Sequence, residues 1–267
     1  MLVVAERINA TRRRIARALQ DRDARLLARE TLAQAEAGAD FIDVNAGSDP
    51  AREVEQFLWA VRVVQDHTDL PLCLDSSSPD VLREGLRLIT GERVMLNSVT
   101  AEPDKLDRVL PLAAESGALL VALAMDRRGL PDTAERRVEI TGAILEAAEK
   151  HGIGPARVYV DPCIQPLSTS PGQAMEVLSA VFRIMNQFEG IHTTCGLSNI
   201  SFGLPDRGLI NRTYLGCLIM AGLDAVIVDP TAEGVMDAVR AAEALAGRDE
   251  FCMDYIRHAR AKRTHPA

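Results

Sequence analysis

Aromatic residues are scarce in this 267-residue sequence: one Trp, three Tyr and six Phe make up 4% of it. Glycosidases usually line their sugar sites with aromatic rings, so the shortage argues against one although candidate carboxylate pairs exist. Positive charge is also short. Lys plus Arg total 30 against 38 Asp plus Glu, a formal charge of -8, which argues against a nucleic-acid surface. The five cysteines (Cys73, Cys163, Cys195, Cys217, Cys252) stand far apart with no C-x-x-C pair, so neither a disulfide framework nor a zinc ribbon is indicated, and a reducing compartment fits. No uncharged run reaches the roughly 18 residues of a membrane span. The N-terminus passes from a short apolar run to Glu6 and Arg7 without the apolar core of a signal peptide, so the expected location is cytoplasmic.

What is present is an ordinary globular mixture, 47% apolar and 25% charged. Short apolar or β-branched runs alternate with amphipathic segments, the mark of parallel strand-helix units. The predicted strands are Leu2 to Asn9, Asp40 to Asn45, Leu72 to Ser76, Arg93 to Ser98, Ala118 to Met125, Val158 to Asp161, His192 to Asn199 and Ala225 to Asp229. Helices are predicted over Ala24 to Ala39, after Pro103-Asp104, and from Pro171. An open doubly wound sheet would show a Gly-rich turn after its first strand, whereas this strand runs into ERINATRRR. The fold class is therefore α/β, a (β/α)8 TIM barrel. One domain is expected over residues 1–267, with an extra C-terminal helix at about 249–260.

A TIM barrel carries its site at the C-terminal ends of its strands. Those ends hold Glu6 and Asn9, Asp43 and Asn45, Asp75 and Ser76, Asn97 and Ser98, Asp161, then Ser198 and Asn199. Asp, Asn and Ser also cap helices and form turns, so any one has a local explanation. Caps do not require polar ends on most strands while the strand bodies stay apolar, and the set indicates a binding site. There is no His cluster, no H-E-x-x-H and no Lys at a strand end, so metal hydrolysis and Schiff-base chemistry lack their parts. No protein-bound metal is expected. Mixed carboxylates and amides suit a flat heterocycle with adjacent N–H donors and a carbonyl, such as the 2-amino-4-oxo edge of a pterin.

The segments AERIN, DVNAG, LCLDSS, MLNSVTAE, YVDPCIQP and GLSNISFG occur in that order along nearly the whole chain. Together they resemble the methyltetrahydrofolate:corrinoid protein methyltransferases, relatives of the folate-binding part of cobalamin-dependent methionine synthase. The resemblance implies a pterin-binding barrel of the dihydropteroate synthase-like type and a homodimer. It implies transfer of the N5 methyl group between methyltetrahydrofolate and the cobalt of a corrinoid (iron-sulfur) protein, with tetrahydrofolate as the other form of the substrate. By resemblance the pterin is held by Asp75, Asn97 and Asp161, and Asn199 sits near N5 and assists the transfer. Ser198 and Arg207 are second-rank candidates, the latter within ISFGLPDRGLINR, where the plain alternative is anchoring of a loop by an ion pair. Glu6, Asn9, Asp43 and Asn45 either brace the site or cap helices. Some relatives carry Gln at the position of Phe202, and any pterin contact from it is absent here.

No His among His67, His151, His192, His258 and His265 sits in D-x-H-x-x-G, so the corrinoid is expected on a partner protein. The rival enzyme reading is dihydropteroate synthase, which must also bind pyrophosphate with basic residues near strands seven and eight. This chain has GLSN and VIVDPTAEG there. The other rival is a non-catalytic pterin-binding module, against which Asn199 stands.

Overall fold

The computed structural model of the protein describes residues 1–47 and 51–264, with side chains as far as Lys262. His265 lies outside the described residues. Among these there are eight strands: β1 Leu2–Asn9, β2 Phe41–Asn45, β3 Leu72–Asp75, β4 Val94–Thr100, β5 Leu119–Leu123, β6 Val158–Asp161, β7 His192–Thr193 and β8 Ala225–Val228. The helices are α1 Arg13–Asp21, α2 Ala24–Glu36, α3 Glu53–Gln65, α4 Pro79–Leu86, α5 Pro103–Ser116, α6 Ala134–Lys150, α7 Gln173–Gln187, α8 Arg207–Ala221, α9 Val235–Leu245 and α10 Met253–Thr264.

All strand pairs are parallel, and the sheet order β7-β6-β5-β4-β3-β2-β1-β8 is that of a barrel cut between β7 and β8. A single parallel bridge, Gly196 to Ile227, spans the cut. Along each strand alternate side chains face inward. Val4, Phe41, Cys73, Met95, Val121, Tyr159, Ala225 and Ile227 pack together as the inner core. The opposite strand faces pack on the helices, and each buried Leu or Phe there contributes roughly 1.5–3 kcal/mol.

Local chemistry sets the helix limits. The Asp23 carboxylate accepts from the Leu26 N–H at 3.1 Å to open α2. Pro79 and Pro103 occupy the first positions of α4 and α5, where a missing N–H costs nothing. Gly117, at φ 70°, closes α5 in the left-handed conformation.

Seven strands lie within two residues of their predicted limits at each end, but the seventh does not reach Asn199. It ends at Thr193, and a 3-10 turn occupies Leu197–Asn199. The reason is competition for backbone groups. The Cys195 carbonyl accepts from Ile227 of β8 at 2.9 Å, and the Gly196 N–H turns to a carboxylate oxygen of Asp161 at 3.4 Å. Helix α1 lies outside the helices predicted from the sequence. The C-terminal helix begins at Met253 behind a 3-10 turn, and its His258 and Lys262 hold Asp237 of α9 at 2.7 and 2.5 Å. No helix of the described residues is long and apolar enough to cross a membrane.

Candidate functional site

The inward parity that builds the core also builds the site. Phe41, Asp43 and Asn45 share one face of β2, as do Cys73 and Asp75 on β3, Met95 and Asn97 on β4, and Tyr159 and Asp161 on β6. Apolar residues fill the lower layer and polar ones stand above them. The sheet register sets Asn45 beside Asp75 and Asp75 beside Asn97, so three predicted site residues form one rung at the mouth.

Asp75 is held by a hydrogen bond from the Asn45 amide, whose oxygen accepts from the Gly47 N–H at 3.0 Å. Burial pushes the Asp75 carboxyl up to about 6; the Asn45 bond opposes this and the nearby Glu53 charge adds to it. Below Asn97, Nδ2 donates to the Asp43 carboxyl in a long contact of 3.4 Å. Asp43 is buried and is also bonded by the Cys73 thiol. Burial, and then the Asp75 charge, hold its carboxyl well above the usual range and favour its neutral form.

Asp161 ends β6, two strands on from Asn97. One carboxylate oxygen accepts from the Cys163 N–H at 2.7 Å and the other from Gly196 N–H at 3.4 Å. Burial still raises it to about 6, against those two bonds and the charge of Arg137. Asp75 and Asp161 are therefore mostly ionised near neutral pH and able to accept paired N–H donors.

Asn199 ends the 3-10 turn after β7 with its side chain exposed and without a side-chain hydrogen bond among the described residues. Its Nδ2 lies over Gly196, where an added Cβ would meet it at 3.3 Å. Ser198 donates to Oε1 of Glu6 at 2.6 Å. Burial raises the Glu6 pKa, opposed by that bond and by the charges of Arg12 and Arg207. Arg207 anchors the loop, but not by an ion pair: its Nε donates to the Ser201 hydroxyl at 3.0 Å and Nη2 to the Ser198 carbonyl at 2.7 Å. Asn9 adjoins Asn45 in the β1–β2 register, and its side-chain oxygen accepts from the backbone N–H and the hydroxyl of Thr11 at 3.0 and 2.7 Å.

Three further residues belong to the arrangement. Glu53 accepts from the Ser76 hydroxyl at 2.6 Å. Asp229, which continues the inward row of Ala225 and Ile227, takes Arg7 and Arg12 at 3.0 and 3.3 Å. Its inward parity was the available signal. Arg137, on α6, has no local signal at all. Among the described residues no group of three or more His, Cys, Asp or Glu is placed to hold a metal ion.

Residues 5–229 match the family of pterin binding enzymes. A methylcorrinoid:tetrahydrofolate methyltransferase from Eubacterium limosum is 37% identical over 257 residues, covering 96% of this chain and 94% of that protein. Methionine synthase from Mycobacterium tuberculosis (strain ATCC 25618 / H37Rv) is 32% identical over 171 residues, 60% of this chain but 14% of that longer protein. Among solved structures, dihydropteroate synthase from Xanthomonas albilineans in complex with 7,8-dihydropteroate has a TM-score of 0.70 at 22% identity, covering 91% of this chain and 92% of that one. That level of identity speaks for the barrel alone.

Proposed function

The chain belongs to the pterin-binding enzymes, and from that premise we propose that it is a methyltransferase moving the N5 methyl group between methyltetrahydrofolate and the cobalt of a corrinoid protein. The observation that carries this reading is the set of Asp75, Asn97 and Asp161 at the ends of β3, β4 and β6, in a chain 37% identical to a methylcorrinoid:tetrahydrofolate methyltransferase.

In this reading Asp75, Asn97 and Asp161 grip the pterin through its N–H donors and carbonyl. The carboxylates accept, and the amide both donates and accepts. Asn199 serves N5. A tertiary amine leaves poorly, so loss of its methyl group requires a proton at N5, and a hydrogen bond that strengthens as charge changes there lowers the barrier. The corrinoid, a substrate carried by the partner, supplies cobalt(I) as nucleophile when methylfolate is the donor. In the reverse direction N5 attacks the cobalt-bound methyl group and gives up its proton. Either way the protein aligns donor and acceptor and needs no strong base of its own.

Dihydropteroate synthase chemistry has less support. The guanidinium groups near β1 and β8, Arg7 and Arg12, are engaged by Asp229, and Arg207 is bonded to Ser198 and Ser201. We further propose a cytoplasmic homodimer that meets a separate corrinoid protein. Mixing the purified protein with methyltetrahydrofolate and cob(I)alamin should produce the absorbance of methylcobalamin. Absence of that signal, and of the reverse reaction from methylcobalamin and tetrahydrofolate, would sink the assignment.

A further inference from the structure

Arg137 has the greatest volume of any fully buried side chain in the described structure, with a relative exposure of 0%. It stands beside Arg136, which is partly exposed and paired with Asp126 and Glu139. Arg137 has no such carboxylate. Its Nε donates to the Pro162 carbonyl at 2.6 Å, Nη2 to Oε1 of Gln173 at 2.8 Å and, in a long contact of 3.5 Å, to the Cys163 carbonyl, while buried Nη1 has no hydrogen-bond partner among the described residues. Taking a guanidinium out of water without a directly paired carboxylate is costly, and burial outweighs the charges of Glu176 and Asp132 nearby, so this group is a poor device for stability alone.

Its bonds converge on one place. Pro162 and Cys163 immediately follow Asp161, and the Cys163 N–H donates to the Asp161 carboxylate at 2.7 Å. Cys163 is also strained, at φ 61°, a left-handed conformation that a non-glycine residue holds only when its surroundings enforce it. Gln173, the first residue of α7, extends the brace by donating to the Asp132 carbonyl at 2.8 Å. A rigid fork from α6 thus ties the turn after β6 to α7 and to the loop after β5.

We propose that Arg137 is a positioning residue for ligand binding: it locks the Asp161-Pro162-Cys163 turn in the conformation that presents the Asp161 carboxylate to the pterin. This rests on the pterin reading of the site. Its charge also favours the ionised Asp161 carboxylate, after the larger effects of the Cys163 and Gly196 N–H bonds.

The test is calorimetric titration of the full-length protein with tetrahydrofolate from pH 5 to 8, using wild type, Arg137→Met, Arg137→Lys and Gln173→Leu. Arg137→Met is expected to raise Kd about tenfold at pH 7 and to move the acid limb of binding to higher pH. Arg137→Lys keeps the charge but not the fork, so it raises Kd with the limb near its wild-type position. Gln173→Leu, which leaves the Pro162 contact in place, weakens binding less, and it keeps the test decisive if Arg137→Met does not fold. Lowered melting temperature with wild-type Kd and an unmoved limb in all the folded variants overturns the proposal. Failure of wild type to bind tetrahydrofolate overturns the pterin reading itself.

Discussion

The Ser198 hydroxyl donates a 2.6 Å hydrogen bond to Oε1 of Glu6, joining the turn after the seventh strand to the first strand across the open seam of the barrel. Strand β7 is only two residues long, so this side-chain bond and the Arg207 contact to the Ser198 carbonyl replace the ladder that would otherwise fix the turn. Ser198→Ala should therefore loosen Asn199 without touching the pterin grip. One hydrogen bond is worth about 1 kcal/mol, so kcat is expected to fall about fivefold with tetrahydrofolate Kd unchanged. A Kd that rises in step with the loss in kcat would place Ser198 in the grip instead.

Asn199 itself is expected to matter more to the reaction than to binding, because its side chain is exposed and has no partner among the described residues to satisfy. Removing a donor that acts on developing charge costs on the order of a hundredfold in rate. Asn199→Ala should lose about that much methyl transfer to cob(I)alamin and keep folate affinity within about threefold. Equal turnover in the two proteins would remove Asn199 from the chemistry.

The carboxylate pair gives binding a pH dependence with a defined sign. Asp75 and Asp161 both stand at about 6, raised from 3.8 chiefly by burial. If the ionised forms accept the pterin N–H donors, affinity is flat above pH 7 and falls as pH drops through 6. Each group contributes up to a tenfold loss per pH unit. Titration of tetrahydrofolate binding between pH 5 and 8 checks this; affinity that holds or improves on acidification contradicts ionised carboxylates as the grip.

How much of this was legible in the sequence follows from where each signal resides. The strands and the polar rung lie in runs of alternating parity, so Asp75, Asn97 and Asp161 could be placed by counting inward from Cys73, Met95 and Tyr159. The segment His192 to Asn199 reads as a strand because its composition is that of one. Its backbone groups are instead taken by Ile227 and by the Asp161 side chain, partners 30 or more residues away in sequence. Arg136 and Arg137 are indistinguishable in the local sequence, yet helix α6 turns one toward Asp126 and Glu139 and the other into the packed interior. Only the angular phase of that helix against β6 separates them.

The raised carboxyls also predict a trade between stability and function. Asp75 binds its proton more tightly folded, at about 6, than at its ordinary 3.8. Its favourable contribution is therefore complete below pH 3.8 and lost as pH rises through 6. A shift of this size corresponds to about 3 kcal/mol at most. Asp75→Asn resembles the protonated state, so at pH 8 it should raise the melting temperature by several degrees and abolish tight pterin binding. The gain should shrink at pH 5, where wild type already carries much of the proton. A variant less stable than wild type at pH 8 would show that the Asn45 bond to the ionised carboxylate outweighs its burial.

Asp43 tests whether a buried acid beneath the site works as a neutral group. Its burial and the neighbouring Asp75 charge favour the protonated form, and its oxygen accepts the Asn97 amide. Asp43→Asn retains a neutral acceptor of the same shape and should leave tetrahydrofolate affinity at pH 7 within about twofold. Asp43→Ala leaves the Asn97 amide without its anchor and opens space beneath it, so affinity should fall about fivefold, the equivalent of one hydrogen bond. Equal losses in the two variants would mean that the site needs a negative charge at this depth.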